Sequence, residues 1–467
     1  MKTTPIYIRS LQLSGIKTFA SEVELALGKN NGAISQWTLI LGDNGIGKSS
    51  ILQCIAWMKP SLPYDVEDIP EDFVPSPLIN DEENEVLEKL VSRKLPTGKI
   101  AEIRAQFVAN QTLNQTVAIS DPQYCETSIK IGLNKNFKLD VAEPYLNTNT
   151  PEVFYHDEVS LYGYSASRQL GKLNLNNPKL VDTIPGFINE FTELYDAEEI
   201  LHTLNYARLG ANDSKEKTKY EEFIEDVKAM IISILPEAEK IKKIDILPPK
   251  VLSSDPEGGI IITMRDGEQI PFSEFSLGYK TVTSWVIDLS WRLFTKFQGK
   301  TPKPLHEPAI VLIDEIDLHL HPKWQREILQ NLCDHFPNTQ FVATAHSPVM
   351  VQAAMESNYS VLKFENGVVE ILNQPEGLDG WRVDQILTSE LFGLESSRGL
   401  KYDKLIQQRG ALMSKIRLSA EEKIELEKID EELSGLPSGD NPQDMRSREI
   451  VNDLYEKLMK GDIKLDS

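Results

Sequence analysis

The chain has 467 residues, 40% of them apolar and 26% charged, which is the composition of a soluble globular protein with a large core or two to three domains. A formal net charge of -22 argues against broad, nonspecific wrapping of DNA, because phosphate binding needs lysines and arginines to replace counterions. No apolar run approaches the roughly 20 residues that span a bilayer, and the N-terminus lacks the apolar core of a signal peptide. Cys54, Cys125 and Cys333 are scattered and form no C-x-x-C, so neither a disulfide framework nor a zinc knuckle is expected and the cytoplasm is the expected compartment.

In chain order, Ile8, Leu11, Leu13, Ile16 and Phe19 form a loosely alternating series that reads as strands. WTLIL (37–41) is a continuous apolar run, the mark of a buried parallel strand. GDNGIGKSS follows, and then Ile51, Leu52, Ile55 and Ala56 at helical spacing: strand, glycine loop, helix. Residues 59–98 are rich in proline and acid and read as an excursion ending in a short helix. EIRAQFVA (102–109), TSIKIGL (127–133) and EVFYHDEVSLYGYSAS (152–167) read as strands. From about 178 to 240 the pattern turns helical, through FINEFTELY (187–195) and YEEFIEDVKAMIISIL (220–235).

KEKTK (215–219) and KIKK (240–243) are the densest basic stretches and read as solvated helix faces. GGIIITMRDGEQI (258–270) is a hairpin turning at Asp266-Gly267, followed by a helix from Gly278 to Phe297 with Val282, Val286, Leu289 and Leu293 on one face. AIVLI (309–313) and QFVATA (340–345) are further buried-strand runs flanking a helix over 322–336. After residue 375 the chain is helical and polar, with a capping-box pattern at Ser419 and Glu422.

Four motifs carry chemistry. Gly42 to Ser49 fits G-x-x-x-x-G-K-[ST], whose glycines turn backbone N–H groups toward phosphate at a helix N-terminus. Gly42, Asn44, Gly45, Gly47, Lys48, Ser49 and Ser50 are therefore candidate ATP contacts; Lys48 would reach the β/γ-phosphates and Ser49 would ligate Mg2+. A P-loop needs a carboxylate at the end of a neighbouring strand, and Asp314 (metal) and Glu315 (catalytic, polarising water) follow AIVLI. Ser276-Leu277-Gly278 opens a helix whose N-terminus can bind phosphate. His346, just past QFVATA, is the candidate that touches the γ-phosphate, since open α/β sheets collect ligands at strand ends.

This order of motifs resembles the ABC-type ATPase heads of the RecF and structural-maintenance-of-chromosomes (SMC) group: P-loop at 42–49, signature at 276–280, Walker B at 310–315, D-loop region at 316–322 and His switch at 346. The resemblance implies an α/β head over 1–375 with helical insertions near 59–98 and 178–240, and a helical segment over 376–467 for partner docking or oligomerisation. It implies a head-to-tail dimer in which Ser276 and Gly278 cap ATP held by the partner's P-loop. DEIDLHLHP also looks like a stretch common to RecF-like and OLD-like ATPases. Asp317 would then lie on the dimer D-loop, and His319 and His321 would be local structure or dimer contacts rather than metal ligands.

FSLGYKTVTSWVIDLSWRL, HLHPKWQREILQNLCDHFPNTQFVATAHSP and WRVDQILTSELFGLESSRG resemble more specifically the PtuA ATPases of Septu anti-phage systems and of certain retrons. That likeness implies an HNH nuclease partner, contact with nucleic acid through the partner, and in retrons a reverse transcriptase with its DNA. Arg168, in LYGYSASR, is open between a nucleotide or dimer contact and a core-edge arginine. Gln106 and Gln111 are the positional candidates for the Q-loop glutamine. Heptads for long coiled-coil arms are absent, as is an H-N-H cluster. The competing functional readings are a RecF-like repair ATPase binding DNA directly, and a scaffold with vestigial hydrolysis.

Overall fold

The computed structural model describes residues 4–29, 32–60, 90–92, 95, 99–115, 123–133, 139–148, 151–154, 159–175, 181–235, 238–247, 259–354, 357–375, 380–389, 392, 400–415 and 419–434. In chain order the strands and helices are β1 (Ile6–Ser14), β2 (Val23–Ala26), β3 (Trp37–Leu41), α1 (Lys48–Trp57), β4 (Ile100–Ala109), β5 (Tyr124–Leu133), β6 (Leu139–Thr148), β7 (Leu161–Tyr164) and β8 (Ser167–Leu173). Then come α2 (Ile184–Ile188), β9 (Phe191–Tyr195), α3 (Ala197–Gly210), α4 (Ser214–Ile234), β10 (Ile241–Leu247), β11 (Gly259–Met264), β12 (Gln269–Pro271), α5 (Leu277–Phe297) and β13 (Ala309–Ile313). The rest are α6 (Pro322–His335), β14 (Thr339–Thr344), α7 (Pro348–Ala354), β15 (Asn358–Glu365), β16 (Val368–Asn373), α8 (Val383–Leu387), α9 (Leu400–Met413) and α10 (Ala420–Ser434).

The central sheet runs β16-β15-β3-β14-β13-β7. Every pairing in it is parallel except that of β16 on β15 at the edge. Burial on both faces explains the continuous apolar runs: every residue of β3, β13 and β14 is buried. Alternate residues serve different cores. Trp37, Leu39, Val311, Ile313, Phe341 and Ala343 pack with the helical side, among Leu201, Ile231, Trp285 and Ile328. Ile40, Ile310, Leu312 and Val342 pack with α1 and with the second, antiparallel sheet, β2-β1-β4-β5-β6. The site elements are thus clamped between two cores, and Trp37 and Phe341 stack with ring centroids 4.4 Å apart.

Some expected elements differ. FINEFTELY is not one helix: Glu190 takes a φ of 67° and ends α2, and Phe191–Tyr195 then becomes β9. Its aromatic and β-branched side chains suit pairing with β8, which a helical reading of the window misses. Among the described residues of 152–167 only Leu161–Tyr164 belongs to the central sheet, its pairing with β13 ending at Ile313 opposite Tyr164; Pro151–Phe154 is a 3-10 turn. In KIKK, Lys240 ends a 3-10 turn and residues 241–243 open β10, with Ile241 buried and Lys242 and Lys243 outward. KEKTK is an exposed face of α4. The excursion expected at 59–98 falls mainly outside the described residues.

The first compact unit is 1–392 and the second 393–467. The first runs past residue 375, the expected end of the head, with Ile386 of α8 buried in the core. In the second, α9 and α10 form a hairpin, and Ser419 and Glu422 make the expected capping box: Ser419 N donates to Glu422 Oε2 at 2.8 Å and Glu422 N to Ser419 Oγ at 3.2 Å.

Candidate nucleotide site

The P-loop joins β3 to α1. Gly42 and Gly47 hold φ of 143° and 115°, a region closed to residues with a Cβ. A Cβ at Gly47 would also sit 2.5 Å from Thr18 Oγ1, which itself donates to Ile46 O at 2.8 Å. Lys48 is buried, and its Nζ donates to the carbonyls of Gly42 at 2.7 Å and Asp43 at 2.8 Å, closing the loop on itself. Burial pushes the Lys48 ammonium below the ordinary lysine range, while Asp314, Asp43, Glu315 and Asp317 pull the other way. No acidic residue stands in the first turn of α1, so its positive end is left for an anion. Ser50 is buried and Ser49 half-buried; Asn44 and Gly45 are exposed at the mouth. A pocket of ≈ 560 Å³ opens beside the loop, lined by Lys17, Thr18, Asn44, Ile46, Phe364 and Val369 among others.

Strand order brings the remaining motifs to the same sheet end. β14 lies between β3 and β13, so its C-terminus falls between the P-loop and the Asp314–Glu315 pair. Thr344, the last residue of β14, ties them: its Oγ1 donates to Asp314 Oδ1 at 2.6 Å and accepts from Glu315 N at 2.7 Å. Glu315 takes a φ of 49°, turning the chain out of the sheet. Two residues past Thr344, His346 Nδ1 lies 3.4 Å from Lys48 Nζ. Lys48, Asp314, Glu315 and His346 are therefore assembled from two strand ends and one loop.

Asp317 accepts from the backbone N–H groups of His346 and Ser347, while Gln325 Oε1 accepts from Ser347 Oγ. Ser276 precedes α5 without making a side-chain capping bond, and it and Leu277 are exposed. Gly278 packs on the D-loop region: a Cβ there would lie 2.6 Å from His319 O. His321 caps α6, its Nδ1 accepting from Lys323 N at 3.3 Å, and both His319 and His321 face outward. Among the described residues no group of three or more His, Cys, Asp or Glu could hold a metal ion.

Neither glutamine candidate reaches this cluster. Gln106 pairs with Ser10 and Glu126 inside the antiparallel sheet, and Gln111 follows that strand's end. The strand beside Walker B contributes Tyr164, whose carbonyl accepts from Asp314 N, and beyond it Arg168, whose Nη2 donates to Asp314 O at 2.6 Å. Burial pushes the Arg168 guanidinium down to about 10, against Asp314 and Glu315, and its Nε has no hydrogen-bond partner among the described residues. Thr344 and Gln325 escaped the sequence reading. A hydroxyl as the last strand residue before Ala-His is the only trace Thr344 leaves.

A glycine loop on a helix N-terminus, a paired acid on a next-but-one parallel strand, and a histidine between them give the chain the layout of an α/β P-loop head. The chain belongs to the family described as "AAA domain, putative AbiEii toxin, Type IV TA system", whose model matches residues 38–351. It is similar to the Septu protein PtuA of Bacillus mycoides (strain KBAB4), 24% identical over 98% of this chain and 55% of the relative. It also resembles the Septu protein PtuA of Bacillus thuringiensis, at 32% identity over 32% of this chain and 38% of that one. A third relative is the "Retron Vc95 probable ATPase" of Vibrio cholerae serotype O1 biovar El Tor, at 39% over 21% of this chain and 19% of that one. The chain spans about half the length of the Bacillus mycoides relative, and less of the other two. Among solved structures, the SMC head domain from Thermotoga maritima matches with a TM-score of 0.40 at 14% identity, over 80% of this chain and 100% of that one. No described helix is long and apolar enough to cross a membrane.

Proposed function

We propose that the chain is the ATP-binding and hydrolysing switch subunit of a bacterial anti-phage defence complex, controlling a partner HNH nuclease through nucleotide-dependent assembly of its heads. The observation that carries the ATPase part is the convergence of Lys48, Asp314, Glu315 and His346 at one sheet end. Likeness to Septu and retron proteins supports the defence setting. In this reading the N–H groups of the P-loop and the Lys48 ammonium bind the phosphates. The pocket beside the loop has room for the nucleoside. Glu315 orients or deprotonates the attacking water, and His346 contacts the γ-phosphate.

Mg2+ fits the donor set. Ser49 and Asp314 offer hard oxygens, and Mg2+ is commonly held by one or two protein oxygens plus phosphate and water rather than by a cluster of protein ligands. Bound there, it would neutralise phosphate charge. Ser276 and Gly278 would cap ATP on a second copy; Leu277, 62% exposed between them, is a side chain that such a contact would cover. Nucleic acid would be engaged through the partner, and in a retron setting a reverse transcriptase and its DNA would join. The second unit, with its helical hairpin, is the candidate docking or oligomerising element.

The test is steady-state ATPase and equilibrium ATP binding on Glu315→Gln and Lys48→Ala. Glu315→Gln should bind ATP yet turn over roughly 10²–10⁴ times more slowly, the usual contribution of a positioned base. Lys48→Ala should lose nucleotide binding. Wild-type turnover in the first, or unchanged affinity in the second, would sink the site assignment. Native mass spectrometry of the tagged chain from its host, with Mg-ATP, then reads the partner. A multimer carrying a nuclease-sized polypeptide supports the defence complex. A dimer carrying only DNA favours the RecF-like alternative.

A further inference from the structure

We infer that Asp317 is the positioning residue for His346: one carboxylate oxygen anchors the backbone that sets the imidazole beside Lys48. The inference rests on the nucleotide-site reading above. Asp317 Oδ2 accepts from His346 N at 2.8 Å and from Ser347 N at 2.6 Å. Bonds from N–H groups to an ionised acceptor are stronger than neutral ones, and two on a single oxygen fix the direction of the segment. The next residue, Pro348, has no N–H to add, so Asp317 holds the segment where it leaves β14 and before α7 begins.

A second clasp works in parallel. Gln325, buried on α6, takes Ser347 Oγ on its Oε1 at 2.6 Å and gives its Nε2 to Leu320 O at 3.1 Å. The 315–321 loop and the His346 segment are thereby stapled on two sides. The loop is itself held in an unusual shape, with Glu315 at φ 49° and His319 at φ 66°. Such left-handed residues persist only where surrounding contacts over-determine them. On its far side the loop meets the signature, since Gly278 has no room for a Cβ against His319 O. Asp317 is thus engaged within its own subunit, at the junction of Walker B, signature and His346.

Two roles for the carboxylate are separable. As an anchor it needs only an acceptor oxygen, which asparagine also supplies; as a charge acting on Lys48 it needs ionisation. Asp317 Oδ2 is already taken by two backbone N–H groups, which favours the anchor.

The experiment measures steady-state ATPase and equilibrium ATP binding on the full chain for Asp317→Ala, Asp317→Asn, His346→Ala and the Asp317→Ala/His346→Ala double variant. Asp317→Ala should lower kcat roughly 10- to 100-fold, the scale of a small misplacement at a reacting centre, while leaving ATP affinity near wild type. Asp317→Asn should recover most of that loss. The double variant should be no slower than His346→Ala alone, because residues that act through one another are non-additive. Wild-type kcat in Asp317→Ala, an asparagine variant as slow as the alanine one, or losses that multiply in the double variant would each overturn the inference. Asp317→Ser, whose hydroxyl is too short to reach both N–H groups, substitutes if the alanine variant no longer binds ATP. Turnover that depends on Glu315 but ignores Asp317 removes this inference alone; turnover indifferent to Glu315 removes the underlying site reading.

Discussion

In the first unit Arg292 and Asp288 meet one turn apart on α5 with side-chain exposures of 2% and 0%; in the second, Arg409 of α9 and Asp430 of α10 meet with 42% and 46% exposed. The same chemistry does different work in the two places. Asp288 is fully committed: it accepts from Arg292, from Tyr195 N at 3.0 Å and from Tyr164 OH at 2.9 Å. Burial, then the Asp288 charge, push the Tyr164 phenol well above its ordinary value, so it stays a neutral donor. Tyr164 O in turn accepts from Asp314 N, so the buried pair ties the signature helix to Walker B. The hairpin pairs Arg409–Asp430, Lys401–Glu432 and Lys415–Glu422 instead lie at the surface, where water competes for both partners. Placement, not the number of ion pairs, decides what a pair contributes.

Three substitutions sharpen that comparison. The largest effect is expected for Asp288→Ala, which strands a buried guanidinium and should cost about 3–5 kcal/mol in chemical denaturation. A loss below about 1 kcal/mol would mean the pair is no more than its surface counterparts. Gly278→Ala comes next. The added methyl meets backbone rather than a flexible side chain, and overpacking of this kind costs about 1–3 kcal/mol. Its ATPase should fall together with its unfolding midpoint; a variant as stable and active as wild type would show that the signature does not bear on the 315–321 loop. The smallest effect belongs to Asp430→Ala, which should change stability by less than about 1 kcal/mol and leave ATPase unchanged. A multi-kcal/mol loss there would break the contrast.

Much of the head was legible in the sequence. GDNGIGKSS after WTLIL is a local pattern, because glycine conformational freedom, strand burial and a helix N-terminus all act within a dozen residues. AIVLIDE and QFVATAH are legible for the same reason, and structure brings Asp314, Glu315 and His346 to the loop that the pattern implied. The Q-loop candidates lie away from the cluster because Gln106 is paired inside the antiparallel sheet, and sheet membership is not visible to a linear search for glutamine. FINEFTELY failed because a window with mixed periodicity is settled by its partner, here β8. The β15–β16 hairpin also escaped notice, although β15 lies directly against the P-loop strand.

Sequence by itself determined the pieces of the candidate nucleotide site: a glycine loop with its lysine, the acid pair and the signature helix are specified by residues adjacent in the chain. Only the tertiary structure decided how those pieces meet. Thr344 bridging Asp314 and Glu315, Asp317 holding His346 and Ser347, and Asp288 joining α5 to the strand beside Walker B each link residues roughly thirty to more than a hundred positions apart. Such contacts have no local signature, because a hydrogen bond records where two segments pack and not what their own neighbours are.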